Sequence, residues 1–403
     1  MAKVIVIGAG PAGLMAAYAA SQNGHHVELF EKNEQMGKKL QLTGHGRCNV
    51  TNRCSKDDFF QHIVHNEKFL YSAFSQFSNL DMISFLKKHG MVTVEEDKGR
   101  MFPSSNSAKD VALLFVELLR ENQVVLHMEE ECKNLIIENN RIVGIKTNQS
   151  QYDCDVVIVC TGGKSFSVTG SSGDGYMWAM QNHIPVTTVY PGLVSLKVRE
   201  HFDLAGLSFQ NVNITVKKDK KVLYKNCGDI LFTHEGLSGP GILAMSSYVV
   251  NKEPHKIYID FIPDVSVDEF EKKLLNTMKA CPNKMLKSVL ETILPKRFVE
   301  YILIRLSVDE NCKVHETTKS QRRRICELLK SFDFDIDSFG DFDQAMITVG
   351  GIKTNQINPK TMESKTISGL KFAGEVLDVD GETGGYNLQV AWTTGYVAGN
   401  TIE

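Results

Sequence analysis

Hydrophobic positions along the chain fall into two textures. KVIVI (3–7) is a short β-branched run without polar alternation, and such a run predicts a fully buried parallel strand. An alanine-rich helical pattern follows at 13–21, then a second strand at 27–31 and a polar, glycine-bearing connection to about residue 56. Helical periodicity marks 79–89 and 107–120. Further strands are predicted at 124–128, 135–138 and 142–146, the last two joined by the turn Asn139-Asn140, and at 155–160 (DVVIVC).

From about 191 the texture changes. NVNITV (211–216) and KVLYK (221–225) alternate, which predicts antiparallel pairing, and helical periodicity dominates 266–332. The α/β pattern resumes at 345–349 and ends in a helix at 388–400. The two ends of the chain therefore form one α/β domain, residues 1–190 and 343–403. It is interrupted by a β-rich insertion (191–265) and a helical subdomain (266–342).

Glycines give the first domain its chemistry. Gly8-Ala9-Gly10-Pro11-Ala12-Gly13 lies between a strand and a helix, the setting in which G-x-G-x-x-G binds a dinucleotide. The glycines permit the tight turn and the close approach of a pyrophosphate, which rests on the positive end of the helix. Glu31 closes the second strand, where a carboxylate can accept both ribose hydroxyls. Strand, motif, helix, strand and acid in that order identify a Rossmann-like dinucleotide-binding domain.

Two more hydrophobic strands end in Cys160-Thr161-Gly162-Gly163 and, after 370–373, in Gly374-Glu375. Ligands of open α/β sheets bind at such carboxyl ends. Gly384-Gly385-Tyr386-Asn387-Leu388-Gln389 then opens the last helix, whose N-terminus can stabilise negative charge near N1 and O2 of a reduced flavin. An NAD domain has no use for so distant an element; an FAD stretched across the sheet does.

The order GAGPAG, TGG, then AGE with a GGYN helix entry resembles the flavoprotein superfamily of glutathione reductase and fumarate reductase. More narrowly, KKLQLTGHGRCNVTN (38–52), RMFPSS (100–105), CTGGKSFSVTGSSGDGY (160–176), LFTHEGLSGPGIL (231–243), TVGGI (348–352) and AGEVLDVDGETGGYNLQVAWTTG resemble the BaiN/YhiN-like FAD-dependent oxidoreductases. The resemblance implies an FAD-binding domain with an inserted small β-barrel and helical subdomain. It places pyrophosphate and adenosine at Gly8, Ala9, Gly10, Ala12, Gly13, Glu31 and Lys32, with Cys132 and Thr161-Gly162-Gly163 flanking the adenine. Lys38, Lys39, Gly44, Gly46, Arg47, Cys48 and Asn49 would line the phosphate and flavin side. Gly374, Glu375, Gly385, Asn387 and Leu388 would hold the ribityl chain and ring. Glu375 stands where the wider superfamily has Asp; the longer stem shifts the carboxylate and keeps its chemistry.

GHGRCNVTNRC (44–54) carries two thiols. Glutathione reductase-like enzymes keep a redox pair four residues apart, whereas Cys48 and Cys54 are six apart. On a helix that is about 9 Å of rise, beyond the roughly 7 Å Cα separation that a disulfide tolerates. The segment reads as a cofactor loop with incidental thiols, Cys48 being a candidate neighbour of the ring. Cys154 and Cys160, with the same spacing along a strand, lie about 20 Å apart and cannot pair.

Other side chains leave alternatives open. His234 in FTHEGLSGP is a proton donor or a turn residue before a helix starting near Ser238. Arg47 and Arg100 are catalytic cations near the ring, or salt-bridge partners. His62 and His65 read as a solvated helix face, with no metal site expected. Arg322-Arg323-Arg324 reads as another solvated face.

Composition changes the picture only by exclusion. The 403 residues, 42% hydrophobic, allow a large core and two or three structural units. A net charge of -3 with mixed signs gives no electrostatic footprint for nucleic acid. No signal-peptide pattern and no apolar run of roughly 18 residues is present, so a cytoplasmic protein without a membrane partner is expected. Nine cysteines with no C-x-x-C indicate neither a disulfide framework nor a zinc ribbon. A second G-x-G-x-x-G is also missing, so electrons do not arrive through a separate nicotinamide domain. The expected function is hydride transfer between flavin N5 and a small organic substrate, either NAD(P)H-linked reduction of a conjugated C=C or aminoacetone-like amine oxidation with oxygen. An FAD-dependent RNA-modification protein and a flavin-based redox sensor are competing classes. The sequence carries no signal for oligomeric state.

Overall fold

β-Branched runs with no polar interruption become the central strands of a parallel sheet. In the computed structural model, which describes residues 1–403, the strands used below are β1 (Lys3–Ile7), β2 (His26–Glu31), β3 (Val125–Met128), β4 (Val156–Val159), β5 (Leu196–Val198), β6 (Ser208–Lys218), β7 (Lys221–Phe232), β8 (Gly236–Ser238), β9 (Lys256–Asp260), β10 (Phe332–Phe339) and β11 (Leu370–Phe372). The helices used below are α1 (Pro11–Gln22), α2 (Val267–Lys279), α3 (Lys319–Lys330) and α4 (Tyr386–Asn400). The chain divides into two units, 1–192 with 342–403, and 193–341.

In the first unit the sheet order is β11-β4-β1-β2-β3, all parallel. Ile7 pairs with Phe30 and Val159, and Val159 with Phe372, so these strands end level. Gly8, Glu31, Cys160 and Ala373 therefore leave one edge. Helix α1 packs on α4 almost backbone to backbone: a Cβ on Gly395 would lie 2.2 Å from the Ala12 carbonyl oxygen, and one on Gly399 2.2 Å from that of Ala16. The strands expected at 135–138 and 142–146 form, with Gln151–Asp153, a separate antiparallel sheet. Between the two sheets His127 stacks on Phe30 at 4.1 Å. Its Nε2 meets buried Glu28 at 2.8 Å, and its Nδ1 lies 3.3 Å from buried Glu130.

The second unit is a closed antiparallel barrel in the order β5-β8-β7-β6-β9-β10. Alternation builds it: Val212, Ile214 and Val216 of β6 point inward and are buried. One boundary differs from the sequence expectation. The boundary expected from helical periodicity places residues 332–339 in the helical subdomain, yet FDFDIDSF alternates with period two, and β10 closes the barrel against β9 and β5. Two of the helices between β9 and β10 start from capping boxes, Ser266 with Glu269 for α2 and Thr318 with Gln321 for α3. The arginine cluster of α3 is not simply solvated: Arg322 pairs with Glu271, and Arg323 with Asp268, Glu271 and Glu327. The helix expected near Ser238 starts at Pro240, because Ser238 is the last residue of β8. No helix of either unit is long and apolar enough to cross a membrane.

Candidate flavin site

Three glycines of the first loop have different duties. Gly8 has φ +99°, and a Cβ there would lie 2.5 Å from the Cys160 carbonyl oxygen. A Cβ on Gly13 would lie 1.8 Å from the carbonyl oxygen of Gly8, so the helix could not approach the loop. Gly10 faces open space, with nothing within 4 Å of its added Cβ, and it N-caps α1 without any side-chain cap. Beside it the Ala9 amide donates to Glu31 Oε2 at 2.8 Å, while Asn33 holds Oε1. Lys32 is tied to Ser172 (2.6 Å) and Asp174 (2.8 Å); Lys38 is exposed.

The GHGRC loop is wound through the left-handed region at Gly44 (φ 58°), His45 (57°), Gly46 (84°) and Cys48 (60°). Backbone strain of this kind clusters at ligand clamps. Cys48 is fully buried, and burial pushes its thiol up to about 12 despite a hydrogen bond with Thr43. All nine cysteines are free thiols, so Cys48 and Cys54 form no disulfide. Arg47 lies over the Phe102 ring at 4.3 Å, bonds Asn106 at 2.8 Å and pairs with Glu96. Arg100 reaches the same Glu96 at 3.8 Å and lies 5.7 Å from the same ring. The structure thus brings both candidate cations together on one carboxylate.

This loop is stitched to the C-terminal helix. Asn52 Nδ2 donates to the Gly384 carbonyl (3.0 Å), Thr51 Oγ1 to Gln389 (2.6 Å) and Trp392 Nε1 to the Val50 carbonyl (3.0 Å). Gly385, φ +97°, caps α4 with no side-chain partner, and a Cβ there would lie 2.5 Å from the Thr51 carbonyl oxygen. Asn387 shapes the preceding turn: its Nδ2 donates to the carbonyls of Gly381 and Glu382, and its Oδ1 accepts from the Gly381 amide. Leu388 is half-buried on the next position.

At the end of β11, Glu375 joins four segments. Its Oε2 meets Lys39 Nζ at 2.8 Å, and its Oε1 accepts from Ser165 Oγ and the Thr348 amide at 2.9 Å each. Gly163 lets this carboxylate approach, since a Cβ there would lie 2.8 Å from Oε1. Gly162 (φ +72°) and Gly374 (φ +81°) make the neighbouring turns. Cys132 opens the separate sheet just after Glu130, whose amide donates to the Glu31 carbonyl at 3.1 Å.

Some candidates stand elsewhere. His234 is exposed in the β7–β8 turn of the barrel unit, next to Glu235, which pairs with Lys197 at 2.7 Å. His62 and His65 do not form a helix face. His62 ends a short helix and binds Glu382 at 2.7 Å, while His65 lies in strand Ile63–His65 and binds Asp380 at 2.7 Å. Spacing along the chain gave no hint of partners more than 300 residues away. Gln389, Trp392 and Asp380 were missed for the same reason.

Whether these residues suit an FAD can be tested on what they leave unfilled. Asn49 Oδ1 and Thr161 Oγ1 are shielded from solvent with no hydrogen-bond partner. Buried polar atoms are seldom left so, and the polar groups of a bound ligand would complete them. Open space at Gly10 and the uncapped N-termini of α1 and α4 offer donors to anionic groups. The fit is good.

Residues 2–401 match the family described as the HI0933-like protein Rossmann domain. The chain belongs to this family. It is 32% identical to a ribosomal RNA dihydrouridine synthase of Haemophilus influenzae over 99% of this chain and 98% of that protein. It is 30% identical to a 3-dehydro-bile acid delta(4,6)-reductase of Clostridium scindens, again over 99% and 98%. Among solved structures, 3-ketosteroid delta1-dehydrogenase from Sterolibacterium denitrificans shares the fold, with a TM-score of 0.54 at 12% identity, covering 99% of this chain and 98% of that one. The HI0933-like membership makes the protein an FAD-dependent oxidoreductase, with a Rossmann-like sheet and an inserted barrel.

Proposed function

We propose that the protein reduces a carbon–carbon double bond conjugated to a carbonyl, with NAD(P)H as electron donor. One observation carries this reading. Two relatives matched over nearly their full length are named for different substrates, a 3-dehydro bile acid and ribosomal RNA, and for the same bond change. Making dihydrouridine and reducing a delta(4,6) bond both add two hydrogens across a C=C next to a carbonyl system.

Bound FAD supplies a reversible hydride acceptor. In this reading the N-terminus of α1 and the space at Gly10 take the pyrophosphate, and Glu31 orients the ribose. The strained 44–48 loop, Asn49 and the N-terminus of α4 enclose the ring. Lys39 and Glu375, already paired, orient the polar chain between the two ends. Arg47 and Arg100, sharing Glu96, are positioned to hold an anionic or carbonyl substrate only if that carboxylate yields.

Uridine in RNA is the second reading, favoured by the names of the Haemophilus influenzae relative and of an Escherichia coli relative 30% identical over 99% of this chain and 97% of that protein. Carboxylates occupy Arg322 and Arg323, so phosphates would meet the exposed Lys220, Lys221 and Lys225 of the β6–β7 hairpin. The test is anaerobic. NADH or NADPH should bleach the flavin, and either a 3-oxo-4,6-diene bile acid or an unmodified ribosomal RNA transcript should restore its colour. Failure of both nicotinamides, or bleaching by aminoacetone with peroxide on admitting air, overturns the reductase in favour of the amine oxidase.

A further inference from the structure

Charge balance over the whole chain conceals one local excess. Lys217-Lys218-Asp219-Lys220-Lys221 forms the tip of the β6–β7 hairpin and Lys225 follows on β7, so five lysines stand with one carboxylate in a chain of net charge -3. Partners divide these lysines into two groups. Lys218 pairs with Glu253 at 2.8 Å, and Lys217 lies over the Tyr258 ring at 4.4 Å. Asp219 is taken by His255 at 3.2 Å. Lys220, Lys221 and Lys225 are exposed, and no carboxylate pairs with them.

The fold gives these three cations no task of its own. Lysines commonly blunt the open edge of a sheet, but the barrel is closed: β6 pairs with β7 and β9, and β7 also with β8. Lys221 lies directly opposite Lys218, and like charges so placed repel. An anionic partner removes that cost.

Register shows what accompanies the charge. Val212, Ile214 and Val216 point into the barrel, so Thr215 points out, with Lys225 of β7 and Tyr258 of β9 directly beside it. Asn226, next along β7, is exposed. Cations interspersed with hydroxyl and amide groups suit the phosphates and sugars of a nucleic acid. A lipid surface needs an apolar face to enter it, and Val222 is the only large apolar side chain exposed between 217 and 225.

We propose that the β6–β7 hairpin is a docking arm for RNA, with Lys220, Lys221 and Lys225 on its phosphates. This rests on the reading in which uridine in RNA is the substrate. The arm belongs to the barrel unit and the flavin site to the other, so anchoring the RNA and reducing its base fall to different parts of the chain.

The test is filter binding of a radiolabelled, unmodified ribosomal RNA transcript to the FAD-loaded protein over a range of salt concentrations. The triple variant Lys220→Gln, Lys221→Gln, Lys225→Gln should bind at least tenfold more weakly than wild type in 0.1 M salt. Its slope of log affinity against log salt should be shallower by about 2 to 3, the share of three phosphate contacts. A control removes the same charge from the same unit at exposed lysines of α2, Lys272→Gln, Lys273→Gln, Lys279→Gln, and should bind within threefold of wild type. FAD content and urea midpoint of the hairpin variant should not fall, since the three side chains hold nothing in the fold. Equal binding by wild type and hairpin variant overturns the arm and leaves RNA as the substrate; equal weakening by the control overturns it too, because net charge then decides. Lysine-dependent binding of phosphatidylglycerol vesicles as tight as that of RNA, per unit of charge, overturns it in favour of a membrane surface. Wild type that binds no RNA in 0.05 M salt overturns the RNA reading and the arm together.

Discussion

Rings hold the barrel unit together, whereas near the sheet edge of the other unit it is their absence that matters. In residues 193–341, Phe298 is fully buried among Phe209, Phe261, Phe332 and Phe232, with centroids 4.9, 4.7, 5.5 and 6.0 Å away. Side-chain volume fills that core, so shape can be traded among neighbours. At the sheet edge, backbone lies on backbone, Gly13 on Gly8 and Gly385 on Thr51, with Gly395 on Ala12 behind, and Gly163 lies against the side chains of Thr348 and Glu375. No trade is open where a Cβ has nowhere to go. The few places where room does exist, as at Gly10, are therefore informative about a ligand.

Substitutions can break that contrast. Phe298→Ala should cost about 3–5 kcal/mol of stability in urea titration, as a large cavity opens in the barrel. FAD affinity of the folded fraction should hold, since no residue proposed to bind the cofactor lies in 193–341. Gly13→Ala should cost roughly 1–3 kcal/mol, because α1 must move off the loop. Gly10→Ala should change stability by less than roughly 0.5 kcal/mol. It should instead weaken FAD at least tenfold, about 1.4 kcal/mol of binding, read by flavin fluorescence. Equal stability losses for the two glycines would remove the distinction between packing and cradle.

Acid sharpens the comparison from the other face of the sheet. Burial pushes the Glu28 carboxyl up, but hydrogen bonds from His127 and Lys3 outweigh it and hold the group below its ordinary value of 4.5. A lowered folded value means that the unfolded chain binds more protons as the solution is acidified. The stabilisation from Glu28 is therefore complete above about pH 4.5 and is lost as pH falls through the lower folded value. Urea midpoints between pH 6 and 3 should fall less steeply in Glu28→Gln than in wild type. Parallel curves would show that the His127 cluster contributes nothing to acid stability.

Local rules explain what was legible. GAGPAG, Glu31, the TGG turn and the AGE strand end were readable because each needs a particular backbone conformation next to a strand, and glycine signals it within a few residues. The barrel was half readable: alternation announced β6 and β7, while β10 was absorbed into the helices before it although FDFDIDSF carries the same period. Long-range pairs were not readable. His62 with Glu382 and His65 with Asp380 join opposite ends of the chain, and the antiparallel pairing of Asp380–Gly381 with Ile63–His65 brings them together. Charge roles were the least legible. Lys32, Lys39 and Arg323 carry no sign of a partner in the sequence, and each is met by a carboxylate.

The smallest effect is expected at Cys54. Its thiol is half-buried, held above the usual cysteine value by burial, and shares a hydrogen bond with Tyr386. A serine hydroxyl has nearly the same size and can make that bond. Cys54→Ser should thus shift stability by no more than roughly 0.5 kcal/mol and leave FAD content and turnover unchanged. A redox role would need either a partner sulfur or a ready thiolate, and at neutral pH Cys54 has neither. Loss of turnover in a folded, FAD-loaded Cys54→Ser protein would reverse this, and would make the 44–54 loop a redox element and not a cofactor clamp.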